Sequence, residues 1–165
     1  MKKKMIAALL TAAMAVTSLS GVAVSAADNS TDEKAEMADA SDVDGTTITF
    51  WHSMGGVNGE AIDTLVKKFN DENEYGITVD AQYQGEYDDS LNKLKSAQIG
   101  NMGADLVQVY EIGTRFMIDS GWIVPMQEMI DADGYDVSEI EPNLAAYYTI
   151  DNKLYSMPFN SSTPI

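Results

Sequence analysis

The sequence predicts an α/β fold with a β-α-β-α-β core. Short runs rich in β-branched and aromatic residues alternate with longer segments of helical periodicity, and tens of residues separate one run from the next. Parallel strands need connections of that length, usually helices with a right-handed crossover. In addition, the run Asp105–Gly113 (DLVQVYEIG) is apolar, β-branched and aromatic, which indicates a central strand buried on both faces of the sheet.

The first βαβ unit begins at Thr46–Trp51 (TTITFW), where β-branched and aromatic residues predict a strand. The strand leads into a Gly-containing loop, His52–Gly56, which has neither of the glycine spacings typical of nucleotide binding. Asn58 is the expected N-cap of the following helix. The helix is predicted by apolar residues that recur at i, i+3, i+4 and i+7, namely Ile62, Leu65, Val66 and Phe69.

The second unit repeats this order. Ile77–Tyr83 alternates apolar and polar residues, which indicates a strand nearer to an edge of the sheet. A turn with a glycine precedes the second predicted helix, Tyr87–Ile99. The glycines at 100 and 103 end this helix before the central run begins.

Shorter elements are predicted after the central run. Thr114 is the expected N-cap of a short helix over residues 115–120, and a further short helix is expected over residues 126–132. Residues 150–154 predict a tight turn between two extended runs, the second of which covers Leu154–Phe159.

The N-terminal part of the chain carries features of export. Three lysines are followed by an apolar run, Met5–Val16, and by small residues ending at Ala26, which predicts a secretory signal peptide over residues 1–26. A transmembrane anchor is the weaker alternative, because the run is short for a span of about 20 residues. Residues 27–45 are acidic and lack aromatic side chains, which predicts a disordered linker, so the folded part is expected over residues 46–165.

Composition and charge disfavour several classes of function. Loss of residues 1–26 would remove three of the ten basic residues and none of the 26 acidic ones, leaving a net charge of −19. Such a charge disfavours binding to nucleic acid or to an anionic membrane. The chain has no cysteine, one histidine, and neither a GxSxG nor an HExxH motif. The sequence therefore predicts no enzyme activity, no metal site and no cofactor.

Four strings together point to a family. The strings are Thr47–Met54 (TITFWHSM), Gly85–Tyr87 (GEY), Gln108–Gly113 (QVYEIG) and Pro158–Ile165 (PFNSSTPI). In this order and spacing they resemble the family 1 extracellular solute-binding proteins of ABC importers, and within them the branch that binds sn-glycerol 3-phosphate. The resemblance implies a periplasmic-binding-protein-like fold of type II, with two α/β lobes that close on a ligand. The present chain is expected to be its N-terminal fragment, with an incomplete first lobe and the first segment that crosses the hinge.

The resemblance also implies which residues contact the ligand. The expected contacts are Tyr87, Glu111 and Ser162, and further candidates are Trp51, His52 and Ser161. An ionised Glu111 would accept hydrogen bonds from ligand hydroxyl groups, whereas the hydroxyls of Tyr87 and Ser162 could donate to phosphate oxygens. Tyr87 is also expected at a helix start, where free backbone N–H groups attract an anion.

Each candidate has a structural alternative. Glu111 could be a solvated carboxylate in a loop after the strand, and Tyr87 could be an aromatic side chain half-packed on the sheet. Ser162 could be a turn hydroxyl before a proline. A lone histidine such as His52 is more often a hydrogen-bonded structural residue than a ligand contact, and Trp51 could belong to the core.

The function implied by the resemblance is that of the substrate-binding component of an ABC importer. It would capture sn-glycerol 3-phosphate or a glycerophosphodiester outside the cytoplasmic membrane and deliver it to permease subunits in that membrane. The protein is expected to be an exported monomer, periplasmic or at the cell surface. Two alternatives stay open, namely another small polyol or sugar as ligand, and a fragment without independent activity.

Overall fold

The structure is a computed structural model that describes residues 43–100 and 102–161. It confirms the predicted α/β fold and the β-α-β-α-β order. The elements in chain order are β1 (Thr47–His52), α1 (Gly56–Glu72), β2 (Thr78–Tyr83), α2 (Tyr87–Gln98), β3 (Leu106–Val107), a 3₁₀ turn (Glu111–Gly113), α3 (Thr114–Ser120), α4 (Met126–Asp133), α5 (Pro142–Tyr147), β4 (Thr149–Ile150) and β5 (Lys153–Leu154). The predicted signal peptide, residues 1–26, and most of the predicted linker lie outside the described residues.

The main sheet has three parallel strands in the order β2-β1-β3. All six residues of β1 pair with β2, whereas β3 pairs with β1 only at Leu106 and Val107. The prediction that the run 105–113 forms the central strand was therefore wrong, since β1 holds that position. Leu106 is 49% exposed, so β3 is not buried on both faces.

The apolar residues after β3 pack on α2 instead of extending the strand. The aromatic ring of Tyr110 stacks on that of Tyr87 in the first turn of α2. A Cβ atom at Gly113 would lie 2.6 Å from Val109 and 3.4 Å from Leu91 of α2, so the chain passes close to that helix. Apolar side chains are needed for this contact as much as for a sheet, and periodicity alone does not separate the two cases.

Asparagine side chains organise the junction between α1 and β2. The Asn70 amide donates to the Val79 carbonyl at 3.0 Å and accepts from the Val79 N–H at 2.8 Å. The Asn73 amide donates to the carbonyls of Phe69 and Ile77 at 3.0 and 2.9 Å, and accepts from the Ile77 N–H at 3.0 Å. These bonds satisfy backbone groups at the helix end and on the outer edge of β2.

The start of α1 differs from the prediction. The helix begins at Gly56, two residues before the expected cap Asn58, and its N-cap is Gly55 without a side-chain hydrogen bond. Gly56 has a φ of +56°, a left-handed conformation that favours glycine, so it supplies the turn into the helix. On the predicted apolar stripe, Ile62 is buried, but Leu65 is 61% exposed.

The described fold begins before the predicted boundary at residue 46. Val43 is 1% exposed and forms a cluster with Ile77, against which Ile48, Phe69 and Tyr75 pack. The Gly45 N–H also donates to the Gly76 carbonyl at 3.1 Å. Residues 43–45 therefore belong to the folded part beside β2 rather than to a disordered linker, and Val43 is the one of them that enters the core.

Short elements complete the chain after α3. The strands β4 and β5 form an antiparallel hairpin across Asp151 and Asn152, which have φ values of 50° and 64°, so the predicted tight turn is confirmed. The predicted strand Leu154–Phe159 pairs only at its first residue, and the rest is irregular. Among the described residues, no helix is long and apolar enough to cross a membrane.

Candidate ligand site at the carboxyl edge of the sheet

Two tyrosines form an aromatic platform beside the end of β3. The rings of Tyr87 and Tyr110 are stacked, with centroids 5.4 Å apart and planes 8° from parallel. The Tyr110 hydroxyl donates to the Asp88 carboxylate, and this hydrogen bond raises the pKa of Tyr110 above its ordinary value. The platform therefore fixes the first turn of α2 to the segment that follows β3.

A chain of hydrogen bonds connects this platform to β1. The Ser53 N–H donates to the Gln108 side-chain oxygen at 2.9 Å, and the Gln108 amide nitrogen donates to the Asn160 side-chain oxygen at 2.8 Å. The Asn160 amide nitrogen then donates to the Tyr87 hydroxyl at 3.3 Å. Gln108 is 9% exposed and its backbone N–H donates to the Trp51 carbonyl, so it links β1, α2 and the final described segment.

Glu111 opens the 3₁₀ turn that follows the platform and is exposed to solvent. The close approach of Gly113 to Val109 holds this turn against the preceding segment. Burial, then the charges of Tyr147 and Glu111, raise the pKa of Tyr148. The negative charge of Glu111 is also the smallest of the causes that raise the pKa of Tyr110, which precedes it directly in the chain.

The two candidates at the end of β1, Trp51 and His52, lie in different environments. His52 is 3% exposed, and its Nδ1 atom accepts from the Met54 N–H at 3.3 Å. Burial lowers the pKa of His52 from its ordinary value. Trp51 is half-buried, and its indole N–H donates to the Gln82 side-chain oxygen at 3.1 Å. The placement of His52 fits its structural alternative, a buried neutral imidazole that accepts a backbone hydrogen bond.

The start of α2 is acidic. Glu86 precedes the helix, and Asp88 and Asp89 lie in its first turn. Their negative charges offset the positive end of the helix dipole, so the expected attraction of an anion to free backbone N–H groups is weakened here. The neutral Tyr87 hydroxyl remains as a hydrogen-bond donor at this position.

The basic residues of α2 and α3 are engaged elsewhere. The Lys93 ammonium donates to the Gln84 carbonyl at 2.8 Å, and Lys95 lies 4.5 Å from the centre of the Phe116 ring. Arg115 pairs with Asp119 at 2.7 Å. All three basic side chains therefore make their contacts away from the Tyr87–Tyr110 platform, and only Arg115 is paired with a carboxylate.

The platform is a surface rather than an enclosed cavity in this part of the chain. An open groove of about 720 Å³ runs along α2 and is lined by neither Tyr87 nor Glu111. A second groove of about 400 Å³ lies between β1 and α1 beside His52 and Tyr83. Within residues 43–100 and 102–161, no three His, Asp or Glu side chains converge on a point where a metal could bind. We therefore take the platform, Glu111 and Asn160 as one wall of the candidate ligand site.

Comparison with known proteins assigns the chain to a family. The sequence profile described as bacterial extracellular solute-binding protein matches residues 64–165. This chain is a member of the bacterial extracellular solute-binding protein family.

Similar proteins in this family extend well beyond the present chain. The sn-glycerol-3-phosphate-binding periplasmic protein UgpB of Salmonella typhimurium is 42% identical over 127 residues, which cover 73% of this chain and 28% of that protein. UgpB of Escherichia coli K12 is 41% identical with the same coverage. The chain therefore spans 28% of the length of these relatives.

Solved structures share the fold of this solute-binding protein. An extracellular solute-binding protein family 1 member from Alicyclobacillus acidocaldarius superposes with a TM-score of 0.57 at 24% identity, over 68% of this chain and 28% of that one. The cyclic alpha-maltosyl-1,6-maltose binding protein from Arthrobacter globiformis superposes with a TM-score of 0.55 at 20% identity, over 66% and 27%. At these identities the likeness establishes the fold alone.

The structure brings together two of the three principal candidates of this solute-binding protein. Tyr87 is one of the two rings of the platform. Glu111 directly follows Tyr110, which is the other ring. Ser161 is exposed and follows Asn160 directly, whereas Ser162 lies outside the described residues. The contact roles of all these residues stay predictions.

Sequence reasoning missed Gln108 and Asn160. Both lie in strings that carried the family resemblance, QVYEIG and PFNSSTPI, but neither was given a role. A signal was present for Gln108, because it is a polar residue inside an otherwise apolar run. No signal in the sequence pairs it with Asn160, which is 52 residues away.

Proposed function

We propose that this chain forms one wall of the ligand site in the substrate-binding component of an ABC importer, and that the ligand is sn-glycerol 3-phosphate or a glycerophosphodiester. The protein binds this ligand outside the cytoplasmic membrane, in the periplasm or at the cell surface, and delivers it to permease subunits. The identity of 41–42% to glycerol-3-phosphate-binding proteins supports the ligand class. It acts as a monomer and does not convert the ligand chemically.

The observation that carries the proposal is the joined edge of the sheet. The first turn of α2, the segment after β3 and the segment at Asn160 meet there through the tyrosine stack and three hydrogen bonds. In open α/β sheets, ligands bind beyond the carboxyl ends of the strands. The hydrogen-bonded connection preorganises this wall, which reduces the cost of ordering side chains when a ligand binds.

The two chemical ends of the ligand are assigned by charge. Glu111 accepts hydrogen bonds from the glycerol hydroxyl groups, because a carboxylate beside the phosphate would be repelled by it. The Tyr87 and Ser162 hydroxyls donate to phosphate oxygens. Since the basic residues of α2 and α3 are engaged elsewhere, neutralisation of the phosphate charge falls to other parts of the protein.

Calorimetric titration tests the ligand class. The protein expressed from its complete reading frame is titrated with sn-glycerol 3-phosphate, glycerol, inorganic phosphate and maltose. We expect sn-glycerol 3-phosphate to bind more tightly than glycerol or phosphate alone, because only it engages Glu111 and the hydroxyl donors together. Tighter binding of maltose would replace the proposed ligand class by sugars. Release of phosphate or glycerol from the bound ligand would overturn the assignment as a non-enzymatic binding protein.

A further inference from the structure

The hydrogen-bond chain from Ser53 to Tyr87 has a fixed direction. A backbone N–H can only donate, so the Ser53 N–H requires the oxygen of the Gln108 amide to face it. The nitrogen of the same amide must then face Asn160 and donate to its oxygen. The Asn160 amide is oriented in turn, and its nitrogen donates to the Tyr87 hydroxyl. Reversal of either amide would bring two donors face to face.

The direction of the chain decides what the Tyr87 hydroxyl can do. Its oxygen already accepts the bond from Asn160. Its hydrogen has no acceptor among the described residues, and the stacking of its ring on Tyr110 restricts rotation of the side chain. A phenol whose oxygen is occupied and whose hydrogen is unused is preorganised as a donor.

We infer that Gln108 and Asn160 are positioning residues that present the Tyr87 hydroxyl to the ligand as a hydrogen-bond donor. The inference rests on the proposed function for the identity of the ligand, but the polarity of the chain is a property of the free protein. It assigns roles to two residues that do not themselves need to contact the ligand. Because Gln108 is only 9% exposed, water does not compete readily for its two side-chain hydrogen bonds.

Gln108→Glu reverses the polarity at nearly constant shape. In its ionised form, the introduced carboxylate still accepts from the Ser53 N–H with one oxygen, and its other oxygen can only accept from Asn160, so the measurements are made at a pH at which this carboxylate is ionised. The Asn160 amide must then turn its nitrogen toward residue 108 and its oxygen toward Tyr87. The Tyr87 hydroxyl consequently donates to Asn160, and its hydrogen is no longer available to a ligand. Asn160→Asp has the same effect on Tyr87 at an exposed position, where a change of fold is not expected.

Raman spectroscopy of the ligand-free protein tests the polarity directly. The intensity ratio of the tyrosine ring doublet distinguishes a phenol that accepts a hydrogen bond from one that donates. For each protein, subtraction of the spectrum of the same protein carrying Tyr87→Phe isolates this residue from the other tyrosines. We expect an accepting Tyr87 in the parent and a donating Tyr87 in Gln108→Glu and Asn160→Asp. The same ratio in all three proteins would overturn the inference, whatever the ligand is.

A double-mutant cycle tests the consequence for binding. The affinity for sn-glycerol 3-phosphate is measured by calorimetry for the parent, Tyr87→Phe, Gln108→Glu and the double variant, each expressed from the complete reading frame and checked by thermal unfolding. We expect each single variant to bind roughly tenfold or more weakly, as for the loss of a charge-assisted hydrogen bond. The double variant should bind no more weakly than Tyr87→Phe, because Gln108 acts through the hydrogen that Tyr87→Phe has already removed.

The cycle separates positioning from other effects of the substitution. A loss caused by the added negative charge, or by general damage to the site, would persist in the Tyr87→Phe background and would overturn the inference. So would an unchanged affinity of Tyr87→Phe, although the proposed function would then stand. If the parent fails to bind sn-glycerol 3-phosphate, the proposed function fails, and the Raman measurement alone decides whether Gln108 positions Tyr87.

Discussion

Replacement of Glu111 by glutamine separates a ligand contact from a solvated loop residue. The substitution keeps the shape of the side chain and replaces a charged acceptor by a neutral amide. Hydrogen bonds to charged groups contribute about 1.5–3 kcal/mol, so the affinity for sn-glycerol 3-phosphate should fall by roughly 10- to 100-fold at about 1.4 kcal/mol per decade. Calorimetric titration of the protein expressed from its complete reading frame measures this change.

The structure predicts that the same substitution leaves stability almost unchanged. The Glu111 side chain is exposed and makes no hydrogen bond with the described residues, so the free energy of unfolding should change by less than about 0.5 kcal/mol. A second effect is expected without ligand. Burial is the main cause of the raised pKa of Tyr148, and the charges of Tyr147 and Glu111 add to it, so Glu111→Gln should lower that pKa slightly, as measured by NMR of tyrosine labelled at the ring carbon that bears the hydroxyl.

Glu139→Gln is the matched control. Glu139 is another exposed carboxylate, on the turn before α5, and its loss changes the net charge equally. It should alter neither the affinity nor the pKa of Tyr148. Equal binding by Glu111→Gln and the parent would show that Glu111 is a bystander. A joint loss of binding and thermal stability would instead make Glu111 a structural residue, and the reasoning from its exposure would be wrong.

Three further changes test the framework around the site. Asn73→Ala removes the side-chain bonds that join the end of α1 to β2, and urea unfolding should show a loss of about 1–3 kcal/mol. Gly113→Ala puts a Cβ atom 2.6 Å from Val109, and urea unfolding should show that this overpacking costs about 1–3 kcal/mol. Calorimetry should also show weaker ligand binding, because the turn that carries Glu111 must shift. The pKa of His52 is lowered in the folded state, so as pH falls the unfolded chain is protonated at His52 before the folded chain is. The contribution of neutral His52 to the free energy of unfolding is therefore complete above about pH 6.5 and is lost below it. Urea unfolding at pH 7.5 and 5.5 should therefore show a smaller pH dependence for His52→Asn than for the parent, and equal dependence would contradict the assignment.

The long elements of the fold were predictable because each carries its own periodic signal. The helix α2 begins at the predicted Tyr87, and β1 and β2 lie within one residue of their predicted positions. The run 105–113 was misjudged because apolar residues there pack on α2, and packing on a helix and pairing in a sheet select similar side chains. Val43 was missed for the opposite reason, since a single apolar residue in an acidic stretch gives no pattern.

The candidate site was predictable in part. The family resemblance named Tyr87 and Glu111 as candidates, and the fold brings the first turn of α2 and the segment that leads into Glu111 to the same edge of the sheet. The contribution of Gln108 could not be predicted, because it depends on partners 55 and 52 residues away in the chain. Local sequence reports propensity and periodicity, whereas the direction of a hydrogen-bond chain depends on which polar groups the tertiary fold brings together.

The hydrogen bonds from Asn70 to the outer edge of β2 leave only one side of the sheet open to a further strand. The Asn70 amide occupies both the N–H and the carbonyl of Val79, and the Asn73 amide occupies those of Ile77, so the first outward-facing backbone groups on that side are already bonded. Beside β3 the described residues place no further strand, and Leu106 is half exposed there. Any strand that joins this sheet, from the same polypeptide or from a second molecule at high concentration, therefore adds beside β3. Association of this part of the chain in isolation should accordingly be suppressed by a charged residue at position 106 and not by one on β2.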